Sequence, residues 1–384
     1  MQLAALYALV AGLTALKNGN RYVWLSGLAL LCFWGLGYAN GFDWINYFKA
    51  YQCLSESICS EGLLEFEPGF HAILSMAATL NYQAVVFFIA IVNVLCLLRF
   101  SKQLQNRGLA VLCFVLLYGW YGYVEQIRQA LALSIVLLGI EYLVRRKYLQ
   151  YIAMVAMAAF FHASALAAMA PMIILLIPAQ FRYAAIAIFC IASGLLLSQL
   201  QEISGLLNSI GLDSNTFARK LEYYADSERY NRSVIGLGFF LDAALLCALA
   251  SRRKIFETED LTHTVFCCAL LFIGIALVSR ISIIFFRLSY YFFPFAVLCF
   301  AVFFRANKVL NAKPITQETS ARWIIIAFLI GQAARPFMDP IIGPDVMAYQ
   351  TYVSHWIKNN VDFRYETTRK CNLLINLGEG NLCE

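Results

Sequence analysis

Charged residues are scarce in this 384-residue chain, and those that interrupt its apolar stretches have types suited to acid–base chemistry on a phosphate-bearing substrate. Arg128, Arg280 and Arg287 are suited to gripping phosphate oxygens, because the guanidinium fork donates two parallel hydrogen bonds and stays charged at any relevant pH. Asp43 and Glu67 are carboxylates that would act as general bases in a partly dry cleft. His162, in FFHASALAAMAP, would shuttle a proton or donate to phosphate at ambient pH. The stretch YVEQIRQALALSIVLLGIEYLVRR, residues 123–146, poses the sharpest question: it is apolar enough to cross a membrane, yet it carries Glu125 and Arg128 within its first two turns. At 1.5 Å per residue Arg128 lies only about 7–8 Å inward from Tyr123, at a mouth rather than in a core. The competing reading is that Glu125 and Arg128, at i and i+3 on one helix face, satisfy each other, or that each arginine snorkels to the surface.

The elements that must position these residues are transmembrane helices. The chain is 61% hydrophobic and 14% charged, with a mean hydropathy of +0.68, far outside the range of soluble domains. Apolar runs recur at 2–16, 22–38, 83–98, 109–121, 130–144, 148–161, 163–178, 183–200, 233–250, 262–279, 288–304 and 323–338. The short alternating segments of a β-barrel are absent. The expected fold is all-α: a polytopic integral membrane bundle of about 11–13 helices, residues 1–384 forming a single transmembrane domain. The first run lacks a basic start and flows into KNGNR without a cleavage site, which favours a retained first helix over a signal peptide.

Charge orients the bundle. With the first helix starting outside, the inner connections hold 16 of the 29 Lys and Arg residues, from Lys17 to Arg322, and five of the 23 acids, as the positive-inside tendency requires. The alternation holds if 39–82 stays outside, with 68–80 as a half-inserted or surface helix. The other long exterior segments are then 201–232, polar and Tyr-rich, and the tail 340–384. Of the 12 cysteines, Cys53, Cys59, Cys371 and Cys383 fall on the exterior side, and the other eight lie in apolar runs. Disulfides persist in oxidising compartments, so Cys53–Cys59 and Cys371–Cys383 are the expected pairs, with two other connectivities open.

Several function classes are disfavoured. Zinc-protease, paired CxxC, phosphate-loop and GxSxG motifs are absent, so neither metal nor cofactor is expected, and nothing points to nucleic acid. Only Asp242 lies near the middle of a span, whereas ion-coupled transporters place ionisable sites near the midplane. Arg128, Arg219, Arg229, Arg232, Arg280, Arg287 and Arg335 instead crowd exterior helix ends, against the positive-inside bias. Arginines at the outer-leaflet head-group level suit an anionic lipid, pyrophosphate above all.

Four short elements carry a resemblance. GFDWINYFKAY (41–51) resembles a G-x-D-x-x-x-Y element through Gly41, Asp43 and Tyr47. EPGFHAIL (67–74) is similar to an E-x-G-F helix start. IRQALALSI and FFHASALAAM resemble paired R-Q-x-x-A and F-H-x-S-A elements through Arg128, Gln129, His162 and Ser164, and FRLSYYF (286–292) a later R-x-x-x-Y-F element through Arg287, Tyr291 and Phe292. In this order they resemble the EpsG-like branch of Wzy-type polysaccharide polymerases, over residues 41–292. An arginine that the family often has shortly before the G-x-D element is missing from GLGYAN.

The resemblance implies a GT-C-like glycosyltransferase architecture in a bacterial inner membrane, with its active site facing the periplasm. It implies that undecaprenyl-pyrophosphate-linked oligosaccharide is both donor and acceptor, and that a chain-length regulator and a flippase of the same pathway are partners. Arg128 and Arg287, with Arg280 nearby, would hold the pyrophosphate leaving group, along with Gln129, Tyr291, Glu125 and Tyr47. Asp43 or Glu67 would deprotonate the acceptor hydroxyl, assisted by His162. An O-antigen ligase shares this arginine logic. A lipid-linked sugar transporter would instead need a charged cavity through the membrane.

Overall fold

The computed structural model describes residues 1–16, 19–56, 66–198, 236–280, 283–312, 319–340, 342–353 and 362–376. The fold is all-α, with no strand among the described residues and two isolated β-bridges. Among the described residues, three helices are long and apolar enough to cross a membrane: α5 (Tyr82–Ser101), α7 (Ile127–Val144) and α12 (Asp260–Val278). Shorter apolar helices accompany them, among them α1 (Gln2–Ala15), α6 (Arg107–Tyr118), α8 (Tyr148–Ala159), α11 (Leu237–Ala250) and α14 (Phe293–Phe303). Side chains such as Phe88 and Leu95 on α5 and Phe240 on α11 are exposed, as are Trp24, Leu28, Ile188, Ile191 and Trp323 on other helices. That pattern belongs to a lipid-facing surface, since lipid tails solvate Leu and Phe without penalty.

The chain divides into two compact units, 1–166 with 306–309 and 329–384, and 167–305 with 310–328. No composition shift in the sequence marks this division. In the first unit α1, α2 (Gly19–Gly35), α5, α6, α7 and α8 pack side by side and run alternately up and down. Asparagines fix where helices begin: Asn81 Oδ1 accepts Ala84 N–H at 3.0 Å, and Asn106 Oδ1 accepts Leu109 N–H at 3.2 Å. One end of this bundle collects basic connections. Arg99 grips Glu141 through two hydrogen bonds of 2.8 and 3.0 Å, and Arg145 joins at 2.7 Å. Asn20 ties to both Gln105 and Arg107, and residues 306–308 bond back to 102–105. Connections assigned to the inner side by charge therefore meet at one end.

The opposite end gathers residues 36–45, 66–70, 119–128, 160–164 and 339–352. Tyr38 N–H donates to Gln350 O (3.0 Å) and Tyr352 N–H to Leu36 O (2.7 Å). Two short helices lie here, α3 (Trp44–Glu56) and α4 (Pro68–Ala77), and the latter falls where a surface helix is expected. The C-terminal helix α17 (Phe363–Asn376) also packs its buried residues in this unit, after α15 (Thr319–Met338) and α16 (Ile342–Met347). Cys53 and Cys371 are each disulfide-bonded, whereas the eight apolar-run cysteines are free. Cys59, Cys383 and segment 201–232, with Arg219, Arg229 and Arg232, lie outside the described residues.

In the second unit α12 is the core helix, buried along nearly its whole length against α9 (Ala170–Leu176), α10 (Arg182–Ser198), α11 and α14. Its two charged anchors are internal pairs. Arg182, 2% exposed, meets Asp260 Oδ1 at 2.7 Å and donates to Ile177 O at 3.0 Å. Asp242, 1% exposed, receives Arg280 Nη2 at 2.6 Å.

Candidate functional site

The site is built where the chain breaks between α6 and α7. The apolar stretch 123–146 is not one helix: residues Tyr121–Glu125 form a π-turn, closed by Glu125 N–H to Trp120 O at 3.1 Å. Gln126, at φ −125° and ψ 57°, interrupts the spiral before α7 starts at Ile127. This turn joins α6 to α7, and its π geometry is of a kind that recurs at functional positions. The Glu125–Arg128 pair of the competing reading is therefore not made: i,i+3 adjacency requires a continuous α-helix, and the break turns the two residues to different partners.

Arg128 turns to Glu67. Its Nη1 lies 2.6 Å from Glu67 Oε2, with side chains 17% and 20% exposed, and its guanidinium stands 4.7 Å over the Phe66 ring. Glu67 is the residue before α4, with Pro68 at the first helical position. It makes no cap to its own helix. Instead Oε1 accepts Ala163 N–H at 2.9 Å, at the start of the 3-10 helix Ala163–Met169. His162 Nδ1 lies 3.6 Å from the same oxygen. Ser164 N–H donates to that nitrogen at 3.3 Å, with the Ser164 hydroxyl 3.1 Å away. A backbone N–H can only donate, so in the neutral ring Nδ1 is the acceptor and Nε2 carries the proton.

Sequence spacing E-x-G-F has a physical reason here. Gly69 N–H donates to Phe160 O at 2.9 Å, and a Cβ on Gly69 would stand 2.6 Å from the Phe160 ring and 2.8 Å from Phe160 O. Only glycine lets α4 start so close to the end of α8, and that contact brings Glu67 to His162. Phe70, fully buried, packs on Tyr47 and Phe66 at 5.4 and 5.5 Å.

Glu125 turns the other way. It is 6% exposed, and its two oxygens accept Trp120 Nε1–H at 2.9 Å and Phe42 N–H at 2.7 Å. Burial, reinforced by the Asp345 and Asp43 charges, pushes its carboxyl up to about 7, against the opposing pull of Lys370 and the Phe42 N–H. Gly41, at φ +81°, is pressed against this turn, where a Cβ would lie 2.7 Å from Val124 O. The G-x-D element is thereby fastened to the π-turn, with Asp43 partly exposed at the start of α3. Trp34 supports the turn from α2, stacking on Tyr123 at 4.0 Å and donating to Gly119 O at 3.0 Å. A small aromatic-walled cavity of about 20 Å³ lies among Trp34, Trp44, Tyr47, Tyr82 and Tyr123, room for about one water.

The structure thus brings Glu67, Arg128 and His162 together and places Asp43 on the neighbouring turn of the same unit. It does not offer all expected ligands to a substrate. Glu125, Gln129 and Tyr47 are buried at 6, 1 and 5% exposure, and Tyr291, in the second unit, at 0%. Arg280 is held by Asp242, 38 residues away in sequence. Arg287 is half-buried on α13 (Ile283–Ser289) in the second unit. Sequence reasoning missed Trp120, Phe66, Asp345 and Lys370. Phe66 directly precedes the E-x-G-F element and was within its reach; the other three carry no local signal.

An apolar helical bundle with an acid–base and guanidinium cluster at one end defines the class: an all-α, multi-spanning membrane protein whose charged chemistry sits at a helix mouth. The EpsG family model matches residues 20–317. The chain belongs to the EpsG family, a family of polysaccharide polymerases. No curated protein and no solved structure matches the chain.

Proposed function

We propose that the chain is a Wzy-type polymerase that joins undecaprenyl-pyrophosphate-linked oligosaccharide repeat units at the periplasmic face of a bacterial inner membrane. The observation that carries this reading is the meeting of Glu67, Arg128 and His162, from three separate sequence elements, at one end of an apolar bundle. Arg128 has donor capacity to spare, because its Nε is buried without a hydrogen-bond partner, a costly state that a phosphate oxygen would relieve.

In the proposed reaction the donor pyrophosphate draws Arg128 away from Glu67. The freed carboxylate takes the proton from the acceptor hydroxyl, whose oxygen forms the new bond to the donor sugar's anomeric carbon. The bond from that carbon to the pyrophosphate oxygen breaks, and its electron pair leaves with the lipid pyrophosphate. Arg128 stabilises the growing charge, and His162 donates Nε2–H to it. Asp43 is the alternative base. Arg287, in the second unit, is proposed to bind phosphate on its R-x-x-x-Y-F element alone.

The paired state of Cys53 and Cys371 supports an oxidising exterior for the end that carries the site, with Cys53–Cys59 and Cys371–Cys383 as the proposed bonds. Peptide mapping of unreduced protein should recover both; free thiols at Cys53 and Cys371 would reverse the orientation. The deciding experiment gives purified protein in lipid only lipid-linked repeat units and sizes the products on a gel. A ladder without nucleotide establishes the polymerase. Substrate binding without a ladder moves the reading to a ligase or a transporter.

A further inference from the structure

The family match ends at residue 317, yet the tail beyond it reaches the turn that presents Asp43. Lys370, on α17, is 0% exposed. Its Nζ donates to Gly41 O at 2.7 Å and Asp345 Oδ1 at 3.0 Å, and stands 5.2 Å from the centre of the Phe42 ring. Asp345 Oδ2 accepts Gly41 N–H at 2.6 Å. One ion pair therefore holds both the N–H and the C=O of Gly41. The next amide, Phe42 N–H, goes to Glu125. Three consecutive backbone groups ahead of Asp43 are fixed by side chains drawn from distant parts of the chain. An ammonium taken wholly out of water is costly unless paired, and here the pair is spent on a two-residue turn that has no regular structure of its own.

The geometry points to Lys370 and Asp345 as positioning residues: a C-terminal clamp that sets the 41–43 turn, and with it the Asp43 carboxylate, for the transfer reaction. This rests on the reading of the 41–43 element as part of a polymerase site. The clamp touches no substrate and acts through the backbone of Gly41 and Phe42. It also gives the tail, which lies outside the matched family region, a role in the chemistry of this chain.

The test uses the full-length protein in lipid nanodiscs with Lys370→Met, reading amide hydrogen exchange and polymerisation kinetics together. Exchange at Gly41 and Phe42 should rise at least about tenfold, with α5 and α7 as protected as before. The kcat should fall about ten- to a hundredfold, the scale of a small misplacement of a catalytic group, with KM within about twofold. Faster exchange with unchanged kcat would reduce the pair to a staple and overturn the proposal, as would unchanged exchange. If K370M loses protection throughout, the isosteric Asp345→Asn is read by the same criteria, and general unfolding of both variants would mark a purely structural pair. If the wild type makes no polymer, the functional reading fails by itself, and the exchange pattern still decides whether the clamp exists.

Discussion

Arg128→Met, Glu67→Gln and the double variant separate two roles for Arg128 that the resting structure superimposes. The pair is short, 2.6 Å, and about a fifth of each side chain is exposed. A charge-assisted hydrogen bond of this kind contributes about 1.5–3 kcal/mol, so R128M should lose about 2 kcal/mol of stability and remain folded. Its rate is a different quantity. If Arg128 stabilises charge on the leaving pyrophosphate, removing it should cost about 10²–10³ in single-turnover rate. E67Q keeps an oxygen for Ala163 N–H but turns Arg128 loose, and it loses the base, worth about 10²–10⁴. The double variant has no unpaired charge left, so it should regain stability while turning over no faster than R128M. Elongation of lipid-linked repeat units in nanodiscs, quenched on the time scale of one addition, gives the rates, and thermal unfolding gives the stabilities. A double variant within about threefold of the wild-type rate would make Arg128 a mere counter-ion to Glu67 and refute the phosphate role.

Two further outcomes follow from the buried charges. The Glu125 carboxyl, in the turn outside both flanking helices, is raised in the folded protein from 4.5 to about 7. The native state therefore holds this proton more tightly, and the stability it contributes is present at pH 4.5 and lost as pH rises to about 7, by roughly 3 kcal/mol. Glu125→Gln leaves Trp120 Nε1–H or Phe42 N–H without an acceptor, at about 1–3 kcal/mol. Its deficit against wild type in thermal unfolding should be clear at pH 5 and close by pH 8; a deficit independent of pH would contradict the raised proton affinity. Arg280→Met removes the ion pair made by Asp242, which is 1% exposed, and should destabilise by about 3–5 kcal/mol, with Asp242→Leu in the same chain restoring most of it. Half-lives in detergent at fixed temperature would check both, and a double variant as labile as R280M would show that the pair matters for more than charge balance.

Hydropathy located the helices well because burial in lipid demands continuous apolar runs: 83–98 and 130–144 lie within α5 and α7, and 262–279 overruns α12 by one residue. It left a gap between the runs 109–121 and 130–144 without showing how the chain turns there, since a π-turn differs from an α-helix in its hydrogen bonds and not in composition. That is why Glu125 and Arg128 read as neighbours. The spacing of Glu67 and Gly69 was legible as a motif, but its cause, the carbonyl of Phe160, lies 91 residues away from Gly69 and leaves no periodic trace. Asp242 read as a lone acid in mid-span because its partner is 38 residues distant. Lys370 and Gly41 are 329 residues apart. In RKCN a lysine looks like any exposed helix charge, and only the tertiary fold reveals that it is sealed.

The resting ion pair also bears on which ligands the proposed site would accept. Glu67 and Arg128 meet at the end of an apolar bundle, where an unpaired charge is costly. A ligand takes Arg128 from Glu67 only if it returns as much negative charge as it displaces, and only if the released carboxylate then finds a proton or a donor. A neutral sugar offers neither. A pyrophosphate supplies the charge to Arg128, and the acceptor hydroxyl supplies the proton to Glu67, so the two substrates together satisfy both halves of the broken pair. On the proposed mechanism this makes binding ordered in effect: donor without acceptor leaves Glu67 ionised without Arg128, and acceptor without donor leaves the base occupied. Lipid-linked donor should therefore bind markedly tighter when an acceptor analogue bearing the free hydroxyl is present than when that hydroxyl is removed, and the difference should vanish in E67Q. Equal donor affinity with both analogues in the wild type would assign the acceptor's proton to a group other than Glu67, with Asp43 next in line.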